Sequence, residues 1–176
     1  RDSSVTGVQT CALPICCIQC SLFFADRDWA AMTSVTLNAV RVQQHLEKIG
    51  QAKDLAAVTQ LKMRSAGLTK LGDLTELKAL KRLDVTDNKL ADLAPLSAVS
   101  QLAYLIVAQN RLESLNGVQQ MVHMQVLNAS NNQLPDISAV TKLHNLKALI
   151  LNNNQLSKLP PQLNKLTQLT ALVLSG

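Results

Sequence analysis

The side chains able to do chemistry are few and unevenly placed. Cys11, Cys16, Cys17 and Cys20 are the only cysteines of the 176-residue chain, and all lie in its first twenty residues. Cys16-Cys17-x-x-Cys20 has the spacing of half a zinc site. A structural zinc takes four ligands, no second cysteine pair follows, and the nearest histidine is His45, so no metal is expected. His45, His123 and His144 stand alone, without a glutamate-histidine pattern or a nucleophile signature. There is no P-loop or G-x-G-x-x-G string. The chain is therefore expected to be no enzyme and to need no cofactor. Asn128-Ala129-Ser130 matches a glycosylation sequon, but three-residue matches arise by chance and a sheet surface is a poor acceptor. Asparagine alone recurs at a fixed interval: Asn88, Asn110, Asn132 and Asn154 are 22 residues apart. A side-chain amide can both donate and accept toward backbone, so these read as structural groups.

The elements that must position them share that period. The pattern L-x-x-L-x-L-x-x-N-x-L runs through Leu80, Leu83, Val85, Asn88 and Leu90, and returns at Leu102, Met124 and Leu146. A degenerate earlier copy is Val58, Leu61, Met63, Ala66 and Leu68, with alanine in the asparagine position. Another starts at Leu169, one residue late, and is expected to be cut off at Gly176, so the chain reads as a fragment. Between the copies, apolar residues recur every third position, as in Leu93-Leu96-Val99 and Ile137-Val140-Leu143. Period three fits 3-10 turns, and the period two of L-x-L fits a short strand. Each coil of strand and turn would point its leucines inward, and coils must stack to bury them. Residues 36–49 break the repeat. Ala39, Val42, Leu46 and Ile49 follow helical spacing with Leu37 and Val40 alongside, Ser34 or Thr36 can cap the start, and Gly50 follows the end. Residues 32–54 therefore read as an N-terminal capping helix.

Composition sets the outer bounds. Hydrophobic residues are 47% and charged residues 16%, which excludes a disordered chain, and 32 of the residues are leucine. No apolar run is long enough for a membrane helix. The net charge is +5, but lysines and arginines are scattered and aromatics are 2%, so nucleic acid is not an expected partner. Residues 1–31 hold every cysteine and three of the four aromatics, a composition break that marks a boundary. Residues 12–24 could pass for the core of a secretory signal, with Ala25 and Ala30-Ala31 as cleavage candidates. Another reading is preferred. Val5-Thr6-Gly7-Val8-Gln9-Thr10-Cys11-Ala12-Leu13-Pro14-Ile15 resembles the conceptual translation of a sequencing adapter. Residues 1–31 are thus expected to be non-native and disordered, with Met32 as the start.

The repeats of residues 55–176 resemble the leucine-rich repeat family, and more narrowly the 22-residue class typified by a regulatory subunit of protein phosphatase 1. The resemblance implies an α/β solenoid, a horseshoe of about six coils with short parallel strands on the concave face and 3-10 or irregular convex segments. The connection through Leu159-Pro160-Pro161 is similar to the 23-residue variant of the repeat. The coils lack the cysteine-bearing caps of secreted members, which implies an intracellular protein, cytoplasmic or nuclear.

Outward strand positions form the candidate binding surface. The first coils place Gln60, Lys62, Arg64, Arg82, Asp84 and Thr86 there, polar and basic. Later coils carry an apolar stripe of Tyr104, Ile106, Val126, Ile150 and Val173, with Asn128 among them. Contiguous outward apolar surface suggests a partner, and tyrosine is an enriched anchor. The expected protein-binding residues are Arg64, Arg82, Asp84, Tyr104, Ile106, Val126, Asn128, Ile150 and Val173. The expected function is a non-enzymatic scaffold that binds another protein. The resemblance suggests the phosphatase catalytic subunit as that partner, or a cytoskeletal, dynein-type one. The alternative is the recognition segment of a larger kinase-like or ubiquitin-ligase protein whose catalytic part follows Gly176.

Overall fold

The computed structural model describes residues 36–48 and 54–175. Contacts divide the chain at Thr33/Ser34, and every described residue lies in the second unit. The expectations for residues 1–31 fall outside the described residues.

Six three-residue strands make one parallel sheet, in chain order: β2 (Gln60–Lys62), β4 (Arg82–Asp84), β5 (Tyr104–Ile106), β6 (Val126–Asn128), β7 (Ala148–Ile150) and β8 (Ala171–Val173). Leu61, Leu83, Leu105, Leu127, Leu149 and Leu172 stand in register as one inward column. The register confirms the repeat length. It advances by 22 residues as far as Leu149 and by 23 to Leu172, the extra residue falling in the Pro160-Pro161 connection. Pairing continues past the strands: Val107 N–H donates to Asn128 O at 2.8 Å and Gln109 N–H to Ser130 O at 2.9 Å.

The period-three leucines return along 3-10 turns. Ala94–Ala98, Val118–Gln120, Ser138–Lys142 and Pro161–Lys165 are 3-10 helices. The N–H of each apolar residue bonds the carbonyl of the apolar residue three before it: Leu96 to Leu93, Val99 to Leu96, Leu102 to Val99, at 2.9 to 3.1 Å. The same residues thus carry both the hydrogen bonds and the buried surface. From Leu74 to Leu149 nearly every inward position is buried, and each buried leucine contributes roughly 1.5–3 kcal/mol. Gly117 sits at φ 101°, and a Cβ there would overlap the backbone carbonyl of Leu93.

The asparagines form the expected ladder. Asn110 Oδ1 accepts from Leu90 N–H at 3.0 Å, while Nδ2 donates to the carbonyls of Val85, Val107 and Ala108 at 3.1 Å each. Each asparagine so ties its own coil to the preceding one, and Asn88, Asn132 and Asn154 repeat the arrangement. Where Ala66 replaces asparagine, Arg41 of the helix donates to Ala66 O at 3.2 Å. The residue ahead of the asparagine position is left-handed in five successive coils: Ser65, Asp87, Gln109, Asn131 and Asn153 all have φ between 48° and 57°.

The N-terminal segment departs from expectation in detail. Helix α1 is Ala39–Lys48, and its start is capped by Asn38, whose Oδ1 accepts from Arg41 N–H at 3.0 Å. Thr36 cannot be the cap because it lies in β1 (Thr36–Leu37), which pairs in parallel with β3 (Lys70–Leu71). Leu37, Val42 and Leu46 join the common core, but Val40 is 64% exposed because its side of the helix faces solvent. Ser34, Ile49 and Gly50 lie outside the described residues.

Two outcomes follow from this architecture. Asn110→Ala strands the buried Leu90 N–H, which alone costs about 1–3 kcal/mol. Asn154→Ala, at a half-buried site, costs less, and urea titration of both variants checks the order. Gln109→Asn places a residue tolerant of left-handed φ at φ 55° and raises stability by up to about 1 kcal/mol, read as a higher Tm.

Candidate protein-binding face

Strand pleating turns alternate side chains away from the core, and register lines them up. One outward column is Gln60, Arg82, Tyr104, Val126, Ala148 and Ala171; the next is Lys62, Asp84, Ile106, Asn128, Ile150 and Val173. Neighbouring strands lie about 4.8 Å apart, so adjacent members of a column touch. The structure therefore brings Arg82, Tyr104, Ile106, Val126, Asn128, Ile150 and Val173 onto one continuous face. All are half-buried except Val173, which is 40% exposed.

Asp84 differs from the expectation of an outward, partner-facing carboxylate: it is fully buried, at 0% exposure. Arg64 folds across it, donating from Nε at 2.7 Å and from Nη2 at 2.5 Å to Oδ2. Thr86 closes the other side, its Oγ1 donating to Oδ1 at 2.7 Å and its N–H at 3.2 Å. Burial pushes the carboxyl pKa up. The hydrogen bonds from Arg64 and Thr86, with the attraction of the Arg64 charge, outweigh it and hold the value below the ordinary carboxylate range. Asp84 therefore positions Arg64, whose side chain remains 60% exposed. Asn128 repeats the clamp two coils on: Ser130 donates to its Oδ1 from Oγ at 2.8 Å and from N–H at 3.1 Å. Thr86 and Ser130 are not among the expected binding residues, yet the Asx-x-Ser/Thr spacing at matching coil positions signals both.

Arg82 has a different environment. Its guanidinium lies 5.5 Å from the centroid of the Tyr104 ring, and its buried Nε has no hydrogen-bond partner. A cation over an aromatic face is attracted by the ring quadrupole. Beside the sheet, Lys81, Gln101, His123, Gln125, Asn145 and Lys147 line an open groove of about 530 Å³. His123 and His144 are exposed and His45 is half-buried on α1. Among the described residues, no three His, Cys, Asp or Glu side chains cluster so as to hold a metal, and no helix is long and apolar enough to cross a membrane.

The family model described as Leucine Rich Repeat matches residues 145–166, one full turn of the solenoid. The coils are leucine-rich repeats. Solved structures with this architecture agree. Internalin C2 of Listeria monocytogenes aligns at 27% identity and a TM-score of 0.65, over 69% of this chain and 53% of its own. An internalin F of the same organism aligns at 31% identity and a TM-score of 0.52, over 61% of this chain and 35% of its own. A leucine-rich-repeat protein of Leptospira interrogans aligns at 28% identity and a TM-score of 0.58, over 60% and 28%. The chain thus spans about half, or less, of these relatives. No curated protein sequence matches it. A leucine-rich-repeat solenoid is in general a protein-interaction fold, and its outward sheet is the face whose residues can vary without disturbing the core.

The Asp84 pair gives a pH-dependent outcome. A depressed folded pKa contributes stability above the unfolded value of about 3.9, and that contribution is lost as pH falls through the folded value. Asp84→Asn should cost about 1 kcal/mol near neutrality, since Arg64 is largely exposed and screened. The gap between parent and variant, measured by denaturation across pH, should close on the acid side of that window. A constant gap would show that the carboxylate charge is not what holds Arg64.

Proposed function

We propose that this leucine-rich-repeat chain is a non-enzymatic scaffold that seats a partner protein on its outward sheet face. One observation carries the reading: β5 to β8 present no charged side chain outward, and the stripe of Tyr104, Ile106, Val126, Ile150 and Val173 is left partly open to solvent. Half-open apolar surface on a rigid sheet is costly in water and is recovered when a partner covers it. The partner named by the 22-residue repeat resemblance is a protein phosphatase catalytic subunit, with a cytoskeletal, dynein-type protein as its rival. The working compartment proposed with it is intracellular, cytoplasmic or nuclear.

A second reading has its own support. The chain spans 53%, 35% and 28% of the solved chains it resembles, so the same face could be the recognition segment of a longer protein. A kinase-like or ubiquitin-ligase chain is the form of that reading in which chemistry resides elsewhere.

The test is affinity capture by the immobilised chain, alongside an Ile106→Asp/Ile150→Asp variant whose fold is checked by circular dichroism. Purified protein phosphatase 1 catalytic subunit is offered as one candidate. A protein retained by the parent and lost by the folded variant supports the sheet face. Equal retention by both removes the face from consideration, and failure of the phosphatase to bind removes that partner alone.

A further inference from the structure

The outward face is divided electrostatically as well as by hydropathy. Lys62, Arg64 and Arg82 are its cations, all on β2, β4 or the residues just past β2; at the strand edge, Lys81 precedes β4 and Lys147 precedes β7. Its one acid, Asp84, is fully buried and already holds bonds from Arg64 and Thr86. From Tyr104 to Ser175 the outward strand positions carry no charge of either sign. The face therefore has a cationic end and an uncharged apolar end, adjoining at Arg82 and Tyr104, which are in direct register.

Arg82 is the telling residue of the boundary. A guanidinium on a protein surface ordinarily finds a carboxylate, and its planar donors suit one. Here the neighbouring carboxylate is committed to Arg64, the guanidinium rests over Tyr104, and Nε is buried without a partner. The ring contact holds the guanidinium at the boundary, and the unpartnered Nε marks a hydrogen bond that the protein itself leaves unmade.

Resting on the sheet-face reading above, we infer that the partner is a protein with an acidic-then-apolar docking segment. Its carboxylate pairs with Arg82, within reach of Lys62, and its apolar side chains cover Val126 and Ile150. Arg82 and Val126 are two strands apart, and Ile150 is one strand further. That separation is about 10–14 Å, or three to four residues of extended chain at about 3.3 Å each. An aspartate or glutamate three or four residues from a large apolar residue is the matching pattern. Charge complementarity favours an acidic protein over a nucleic acid: a phosphate backbone would need cations along its whole track, and four of the six strands offer none outward.

The experiment is selection of a random displayed peptide library on the full chain, with the selected peptides then synthesised and titrated by fluorescence polarisation. Three variants are titrated beside the parent, each checked by circular dichroism: Arg82→Ala, Lys62→Glu at an exposed position, and Ile150→Asp. The expected result is enrichment of Asp or Glu three to four residues from Leu, Ile, Phe or Trp. Binding should weaken about tenfold in Arg82→Ala, also weaken in Lys62→Glu, be lost in Ile150→Asp, and fall as salt rises. Peptides lost in Ile150→Asp but without acidic enrichment and indifferent to Arg82→Ala and Lys62→Glu overturn the inference and leave the sheet-face reading standing. Peptides indifferent to all three variants overturn both, as does a selection that yields no binder. A single-stranded oligonucleotide that binds more tightly than every selected peptide also overturns the inference.

Discussion

A coil of this chain has no interior of its own. Its strand and 3-10 turn can only line one side of a core, and the far wall is the next coil. The last two coils of the inward columns make this quantitative. Leu149 and Leu151 are 0% and 2% exposed beneath the coil that carries β8, whereas Leu172 and Leu174, at equivalent positions in that coil, are 42% and 36% exposed. Identical residue type in identical register differs by the presence of a neighbour. Stability in such a stack is a sum of coil and interface terms, so each interface must close its polar groups as well as its leucines. The asparagine ladder meets that second demand: one amide serves three carbonyls and a buried N–H drawn from two successive coils.

The same dependence explains which parts of the fold were legible in the sequence. Stacking forces every coil to repeat the same inward residues, so leucine spacing, strand positions and asparagine register could be read directly. The one-residue delay at Leu169 was legible too, because the register must absorb it, and it does so at Pro160-Pro161. The left-handed turn was not. It recurs every 22 residues, but serine, aspartate, glutamine and two asparagines occupy it, since its side chain faces solvent and only the backbone is constrained. Helical spacing announces α1 over Ala39–Lys48 but not how the segment begins. Thr36-Leu37 has no repeat partner to announce a strand, and its pairing with Lys70-Leu71 is a tertiary contact that local propensity does not encode.

The candidate face was legible as a set of positions and less so as an environment. Alternation along a strand says that residue 84 points outward; it does not say that a longer neighbour will lie over it. Arg64 reaches Asp84 because parallel register sets residues 62 and 84 side by side, leaving the arginine two positions further along the preceding coil. An outward carboxylate thus became a buried one, and its charge was spent inside the protein.

That internal neutralisation shapes what the rest of the face can do. Had Asp84 remained open, it would have been the natural partner for the guanidinium of Arg82 in the adjoining column. With Asp84 taken by Arg64, Arg82 turns instead to the ring of Tyr104, the first residue of the uncharged region. One ion pair therefore decides the character of its neighbours: Arg64 is held in place, Arg82 is left without an acid, and the aromatic at the boundary has a cation on one side and Val126 in register on the other. Because the inward and outward columns alternate along the same strands, this arrangement leaves the core undisturbed. Selection on the outward residues can alter what the face binds while the leucines and asparagines behind it continue to set the stack.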